Sequence, residues 1–166
     1  VLHQPTDIEG AGCFAILQDP QGVVFAVYTS ANLSTDPPEP PGLGQISWHE
    51  LATSDLESGF EFYAALFDWE TQEDMDMGDG WMYRIYGQPG SFPLGGMFTK
   101  PAEMQGPPMW LYYISVPSVA DAVEKIQQLG GQVLNGPMDV PGGDTIAQCM
   151  DPQGAVFALH SKVAEG

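Results

Sequence analysis

One four-residue turn sequence occurs twice in this chain, each time before a run of residues typical of a β-strand. Residues 19–22 and residues 151–154 both read Asp-Pro-Gln-Gly. Proline restricts φ and glycine accepts positive φ, so each of these sequences predicts a tight turn, and the β-branched and aromatic residues that follow predict a strand. The match extends well beyond the turn, which makes residues 1–29 a second copy of residues 133–161.

From residue 45 onward the sequence predicts the same order of elements twice: a strand, a helix and three further strands. These βαβββ repeats cover residues 45–100 and 109–162. Ser54 or Asp55 is expected to cap the first helix and Ser118 the second, because a short oxygen-bearing side chain can accept a hydrogen bond from the first turn. The predicted strands are residues 46–52, 69–75, 81–86, 94–98, 109–116, 133–134, 145–150 and 156–161.

Each predicted helix has one apolar stripe, which is expected to pack against a sheet. Gly59 lowers the helix propensity of the first helix, so packing must stabilise it. The stripes consist of Leu56, Phe60, Tyr63, Leu66 and Phe67 in the first helix and of Val119, Val123, Ile126 and Leu129 in the second.

These elements predict an α+β fold of paired βαβββ modules with a concave mixed sheet. Residues 45–162 form one complete module, and residues 1–30 are expected to be the C-terminal strands of a preceding, truncated module. Residues 31–44 are a Pro-rich linker with polyproline stiffness. Because exposed strand edges pair with other strands, residues 1–30 are expected to complete a sheet with the module or with a second chain. The expected assembly is therefore a homodimer or a pairing with another module.

The charge and the cysteines limit the partners and the location. The net charge of −18 comes from 22 acidic and only 4 basic residues, and such a field repels a nucleic-acid backbone. The sequence has no apolar run long enough for a membrane span and no signal peptide at its start, so we expect a cytoplasmic protein without a membrane partner. Cys13 and Cys149 lie in predicted strands and are expected to be reduced thiols.

The repeat pattern resembles the vicinal oxygen chelate superfamily, which includes glyoxalases, extradiol dioxygenases and bleomycin- and fosfomycin-resistance proteins. The resemblance lies in the helix and its exit at residues 62–69 (Phe-Tyr-Ala-Ala-Leu-Phe-Asp-Trp), in residues 116–131, and in the second turn with its strand at residues 151–159. It implies a concave sheet that holds a small ligand. It also implies, for the metal-dependent members, ligands on two strands of each repeat.

The positions that correspond to those metal ligands hold no suitable donor. They are Trp48, Leu111, Ala158 and the segment 94–97 (Leu-Gly-Gly-Met), and Ala26 is the counterpart of Ala158 in the N-terminal copy. Divalent metals in such sites need imidazole, carboxylate or thiolate ligands. We therefore expect neither a metal nor another cofactor.

Strand alternation and the resemblance together predict the residues that face the ligand. Glu50 is either a general base with apolar neighbours or a hydrogen-bonded strand glutamate. His160 is either a group that contacts the ligand or a histidine at the fraying end of a strand. The predicted ligand-binding residues are Trp48, Glu50, Leu111, Tyr113, Ala158 and His160.

Two other polar features favour a structural interpretation. His49 points to the opposite face from Glu50 in a regular strand, so we expect it at the edge of the core. The acids at residues 74–79 are spaced like part of a calcium loop but lack its closing glutamate, which favours an acidic hairpin in solvent.

The sequence favours metal-independent binding of a small apolar or aromatic molecule, with sequestration as one form of it, over an enzyme. The alternative is an enzyme of the same superfamily, a lyase, an isomerase or a dioxygenase-like protein. It would use Glu50 or His160 as its acid–base group, or an unforeseen metal. A third interpretation is a structural half that needs a partner module and binds no ligand by itself.

Overall fold

The computed structural model describes residues 1–32 and 39–163 and has the predicted α+β class. Residues 33–38 of the expected linker lie outside the described residues. The described residues form the helices α1 (Leu56–Phe67) and α2 (Val119–Gln128), and neither is long and apolar enough to cross a membrane. The strands are β1 (His3–Ile8), β2 (Gly12–Gln18), β3 (Val24–Ser30), β4 (Ile46–Thr53), β5 (Glu70–Asp76), β6 (Met82–Gly87), β7 (Pro93–Thr99), β8 (Met109–Ser115), β9 (Gln132–Asp139), β10 (Thr145–Met150) and β11 (Val156–Ser161).

The strands form two sheets. One has the order β1-β2-β3, and the other has eight strands in the order β5-β6-β7-β4-β8-β11-β10-β9. The second order is that of two βαβββ repeats. The first strands of the repeats, β4 and β8, are neighbours at the centre. Outward from each come the fourth, the third and then the second strand of the same repeat. The element order predicted from the sequence is therefore present on both sides of the centre.

The chain divides into two compact units by its contacts, and strands β4, β7 and β8 contribute residues to both. Unit 1 consists of Val1–Glu39, Leu51–Pro93 and Met97–Trp110, and unit 2 of Pro40–Glu50, Leu94–Gly96 and Leu111–Gly166. The N-terminal strands thus belong to the same unit as α1.

The expectation that residues 1–30 would complete the module's own sheet is wrong. Among the described residues β1, β2 and β3 form a separate sheet, and within unit 1 this sheet contacts α1. Phe25 of β3 packs edge-to-face against Phe62, Tyr63 and Phe67 of the helix. Burial of these aromatic rings, rather than strand pairing, determines where the N-terminal strands lie.

The first copy of the repeated turn is hydrogen-bonded to the start of α1. The carboxylate of Asp19 accepts hydrogen bonds from its own turn and, at 3.0 Å, from the hydroxyl of Tyr63. The side chain of Gln21 donates to the carbonyl of Asp55 and to Ser58 Oγ, and it accepts from the amide of Ser54. The N-cap itself is Asp55, whose carboxylate accepts from the amide of Ser58.

The apolar stripe of α1 is only partly as predicted. Leu56 and Tyr63 are buried, but Leu66 is 47% exposed, because Phe62 and Phe67 take the contacts with β3 instead. A Cβ atom at Gly59 would lie 3.0 Å from Oγ1 of Thr53, so the glycine allows the helix to approach β4 closely. The aromatic cluster of unit 1 contains Phe25, Phe62, Tyr63, Phe67, Trp69, Tyr86 and Trp110.

The core of unit 2 lies under α2. Val119 and Val123 pack there against a group of buried strand residues. Leu129 is 68% exposed, contrary to the predicted stripe, because it is the C-cap residue and the chain leaves the helix at this point. Cys13 and Cys149 are both free, and burial raises the pKa of the Cys149 thiol. The strand residues in this core are Ala147, Cys149 and Leu159.

Candidate functional site

The face of the unit 2 strands that points away from α2 carries several of the predicted site residues. Ala158 of β11 lies opposite Tyr113 of β8 and opposite Gln148 of β10. Residues directly opposite each other on paired strands share a face, so Tyr113, Ala158 and Gln148 point the same way. Their strand neighbours Cys149 and Leu159 point to α2. The alternation predicted for β8 and β11 is therefore present.

Glu50, Tyr113 and Gln148 form a chain of hydrogen bonds on this face. The Tyr113 hydroxyl donates to Oε1 of Glu50 at 3.0 Å, and Nε2 of Gln148 donates to the Tyr113 hydroxyl at 3.3 Å. Tyr113 is only 3% exposed. Burial and the nearby charge of Glu50 raise the pKa of Tyr113 far above its ordinary range. The phenol therefore stays protonated and donates a hydrogen bond to the carboxylate.

Ser47, His160 and Asp144 form a second set of contacts in unit 2. Oγ of Ser47 lies 2.9 Å from Nδ1 of His160, and Nε2 of the same ring lies 2.8 Å from Oδ2 of Asp144. The other carboxylate oxygen of Asp144 accepts from the amide of Val163 at 2.9 Å. The His160 side chain is 15% exposed. His160 is therefore held on both ring nitrogens, which differs from a histidine at a fraying strand end.

The surroundings of Asp144 favour its charged form. Burial acts to raise the pKa of this carboxyl group. The hydrogen bonds from His160 and Val163 and the nearby charge of Lys162 outweigh that effect, so the pKa lies below its ordinary value of 3.8.

Replacing Asp144 with asparagine should therefore remove a stabilisation that depends on pH. A carboxyl group whose pKa falls on folding stabilises the protein above its unfolded pKa, and this stabilisation is lost as the pH falls through the folded pKa. We expect wild type to unfold at higher urea than Asp144→Asn at pH 7, and the difference to shrink below about pH 4. Urea denaturation at pH 7 and pH 3 measures it, and an equal difference at both pH values would contradict the prediction.

The structure brings Glu50 and Tyr113 together. Trp48 lies on β4 with Glu50, Leu111 lies on β8 with Tyr113, and Ala158 and His160 lie on β11, which pairs with β8. Trp48 on β4 and Leu111 on β8 are partly buried, whereas Ala158 is fully buried. His49 packs edge-to-face against Tyr112, and burial lowers the pKa of its imidazole.

The sequence interpretation missed three residues of these two clusters. Gln148 could have been found, because it is the polar residue of β10 that alternation places beside Ala158. Ser47 was missed because strict alternation puts Ser47 and Glu50 on opposite faces of β4, yet the Ser47 hydroxyl lies 2.9 Å from the predicted ligand-binding residue His160. Asp144 precedes β10, and no sequence pattern connects it to His160.

The residues present do not fit the metal that the resemblance implies. The four corresponding positions lie on four neighbouring strands, the segment 94–97 on β7, Trp48 on β4, Leu111 on β8 and Ala158 on β11. None of them offers an imidazole, a carboxylate or a thiolate. In the described part of the chain no three His, Cys, Asp or Glu side chains are grouped so that they could hold a metal ion. The acidic hairpin agrees with this, since Asp74 pairs with Arg84 and Asp76 accepts from the amide of Gly78.

Removal of divalent metal is expected to leave the stability of the protein unchanged, because a site without donor side chains gains nothing from the ion. The thermal midpoint should be the same before and after dialysis against a chelator. Elemental analysis should give well under one equivalent of zinc, nickel, iron or manganese. A midpoint that fell by several degrees and recovered with one of these metals would contradict the ligand positions used above.

Curated proteins similar to this chain include proteins of Mycobacterium and Streptomyces. CFP32 of Mycobacterium tuberculosis, provisionally named a glyoxylase, is 30% identical over 160 residues, which are 96% of this chain and 59% of that protein. The anthracycline biosynthesis protein DauV of Streptomyces sp. strain C5 is 31% identical over 163 residues, 96% of this chain and 56% of that protein. The chain thus spans less than two thirds of the length of these relatives.

Solved structures with a similar fold include enzymes. The Mn(II)-bound glyoxalase from Novosphingobium aromaticivorans matches with a TM-score of 0.65 and 16% identity over 97% of this chain and 53% of that chain. A methylmalonyl-CoA epimerase of Streptomyces coelicolor matches with a TM-score of 0.56 and 18% identity over 74% of this chain and 97% of that chain. The family model of the Glyoxalase/Bleomycin resistance protein/Dioxygenase superfamily matches residues 43–159. With this match over most of its length, and with the paired βαβββ sheet, the chain belongs to the Glyoxalase/Bleomycin resistance protein/Dioxygenase superfamily.

Proposed function

We propose that unit 2 binds a small, largely apolar or aromatic molecule beside Glu50, without a metal. The observation that carries this proposal is the hydrogen-bonded chain of Glu50, Tyr113 and Gln148. Small-molecule sites are commonly apolar surfaces with a few fixed polar groups. Here the hydrogen bonds hold the Glu50 carboxylate in place on the strands that also carry the partly buried Trp48 and Leu111. Binding without turnover would include sequestration.

The charge of the site indicates which polar group the ligand carries. The Tyr113 hydroxyl already donates to Glu50, so the Glu50 carboxyl group acts as a hydrogen-bond acceptor at this site. A carboxylate attracts hydrogen-bond donors and cations, and the net charge of −18 repels anions. We therefore expect a hydroxyl, amide or amine group on an aromatic or aliphatic body. The name of DauV, an anthracycline biosynthesis protein, supports an aromatic body.

An enzyme that transfers a proton is the second candidate. It is favoured by the same contact, because a carboxylate that is oriented by a tyrosine is suited to act as a general base. The enzymes of similar fold, a glyoxalase and an epimerase, support this candidate at the level of the superfamily. Glu50 would then remove a proton from the bound molecule, and Tyr113 would hold the carboxylate in place.

A thermal-shift screen of neutral and cationic small molecules tests binding, because a ligand that binds only the folded state raises the midpoint. The shift of a true ligand should be lost or reduced in Glu50→Gln and kept in the control Tyr112→Phe, which changes an exposed neighbour. Trp48→Ala should weaken binding by roughly 1–3 kcal/mol, the scale of one lost aromatic contact. Ligands that bind both Glu50→Gln and Trp48→Ala as tightly as wild type would place the site elsewhere.

The bound compounds then separate the two candidates. If the protein is an enzyme, a bound compound is converted or exchanges a proton with solvent deuterium. Glu50→Gln should then lower that rate by about 10²–10⁴-fold, measured at a compound concentration high enough to compensate for its weaker binding. If the bound compounds remain unchanged and undeuterated at high protein concentration, the enzyme candidate is contradicted and the binding protein is favoured.

We also propose that the free edge of β3 pairs with a second copy of this chain. By the internal repeat β3 corresponds to β11, and β11 pairs in parallel with β8. Among the described residues β3 pairs only with β2, and its Val24 and Tyr28 are exposed. Light scattering at micromolar concentration should give the mass of a dimer. A monomer at all concentrations would contradict the proposal.

A further inference from the structure

We propose that Ser47, His160 and Asp144 form a second chemical site in unit 2, at which Ser47 is a nucleophile that accepts an acyl group from an activated ester. This site is independent of ligand binding beside Glu50. The proposal rests on two consecutive short contacts, from Ser47 Oγ to Nδ1 of His160 at 2.9 Å and from Nε2 of His160 to Oδ2 of Asp144 at 2.8 Å. A nucleophile, a base and a group that orients the base are the three parts of an activated serine.

The contacts determine which ring nitrogen carries the proton. Asp144 is an acceptor, since its other oxygen already accepts from the amide of Val163 and its surroundings favour the charged form. Nε2 of His160 must then carry the hydrogen that is donated to Asp144. In the neutral ring this leaves a lone pair on Nδ1, directed at the hydroxyl of Ser47. The geometry thus prepares His160 to take the proton of Ser47.

The Ser47 hydroxyl has a second acceptor, the backbone carbonyl of Tyr113 at 3.3 Å. One hydroxyl proton serves one strong hydrogen bond at a time, and the contact with His160 is shorter by several tenths of an ångström. The carbonyl therefore competes only weakly with His160 for the hydroxyl proton.

The site is accessible as well as ordered. The side chain of His160 is 15% exposed and that of Asp144 is 34% exposed, and Ser47 is partly exposed. In a purely structural role, these contacts would be hydrogen bonds that link β4, β11 and the residues before β10. Such a structural link needs no particular tautomer of His160 and gives Ser47 no special reactivity. The reactivity of the Ser47 hydroxyl therefore distinguishes the two roles.

The proposed reaction has two balanced steps. Oγ of Ser47 attacks the ester carbonyl carbon, its proton passes to Nδ1 of His160, and the alcohol leaves with that proton as the acyl–Ser47 bond forms. Water then attacks the acyl group, His160 takes a proton from the water and returns it to Oγ, and the acid is released. No metal, oxidant or further reactant is needed. Asp144 touches no reacting atom and is a positioning residue.

The test uses the whole chain with a fluorophosphonate probe and with p-nitrophenyl acetate. We expect one probe per chain, attached at Ser47 as mapped by peptide mass spectrometry, and release of nitrophenol above background. Ser47→Ala should abolish both, and His160→Gln should lower the labelling rate by about 100-fold or more. The control is Ser30→Ala, because Ser30 is also a partly exposed strand serine but its hydroxyl bonds the carbonyl of Asn32.

Asp144→Asn separates positioning from a merely structural role. It should keep the fold, as judged by circular dichroism, but lower the labelling rate and change its dependence on pH, because the ring is no longer held in one tautomer. Mapping the labelled residue on wild type does not depend on whether any variant folds. No labelling of Ser47 by excess probe, or equal labelling of wild type and folded His160→Gln, would overturn the proposal.

Discussion

Replacing Asp19 with alanine is expected to lower the free energy of unfolding by about 3 kcal/mol, since it removes the shared acceptor of three hydrogen bonds in a buried setting. Asp19 is 6% exposed and accepts from the amides of Gln21 and Val23 and from the hydroxyl of Tyr63. The Val23 amide and the Tyr63 hydroxyl are both buried and would lose this acceptor. Chemical denaturation measures the change.

The internal repeat supplies a matched control at Asp151. Its carboxylate accepts from the amides of Gln153 and Ala155 as Asp19 does within its own turn, but it is more exposed and the structure gives it no tyrosine partner like Tyr63. Asp151→Ala should therefore cost about 1 kcal/mol, the scale of turn hydrogen bonds near solvent. Equal costs at Asp19 and Asp151 would mean that the contact with Tyr63 adds nothing. Tyr63→Phe should reproduce most of the difference between them.

Replacing Tyr113 with phenylalanine is expected to lower the free energy of unfolding by about 2 kcal/mol. The ring is 3% exposed, and its hydroxyl joins Glu50 and Gln148. Removing that oxygen takes a donor from the Glu50 carboxylate and an acceptor from the Gln148 amide, and both groups remain partly buried.

The neighbouring Tyr112 is the control, because it is 43% exposed and its hydroxyl belongs to no such chain. Tyr112→Phe should change stability by less than about 0.5 kcal/mol. A Tyr113→Phe variant as stable as Tyr112→Phe would show that the chain of hydrogen bonds is weak. If Tyr113→Phe is destabilised and Glu50→Gln,Tyr113→Phe is no worse than the single change, the two groups act as one unit.

The fold followed from patterns that are local in the sequence. Turn residues at 19–22 and 151–154, caps at Asp55 and Ser118, and strand alternation at 156–161 each report a backbone preference that needs no distant partner. Two copies of one pattern then predict two copies of one repeat. The same local logic predicted that Glu50 and Tyr113 face the same side of the sheet, and the hydrogen bond between them agrees with it, because alternation on β4 and β8 follows from chain geometry.

Local patterns failed where a side chain's environment comes from another element. Leu66 and Leu129 continue helical stripes in sequence, but their exposure depends on which neighbour covers the end of each helix. Gln21 is an ordinary turn residue by sequence, and only the approach of α1 makes it a partner of Asp55 and Ser58.

The sequence by itself determined the α+β class, the order of the elements, the repeated βαβββ units and the lack of donors at Trp48, Leu111 and Ala158, because each depends on residue type and spacing. Tertiary structure alone decided that β1–β3 form their own sheet against α1 and that Ser47, His160 and Asp144 meet. The physical reason is that aromatic burial and side-chain hydrogen bonds act between groups distant along the chain, and no local periodicity encodes which of them come within about 3 Å of each other.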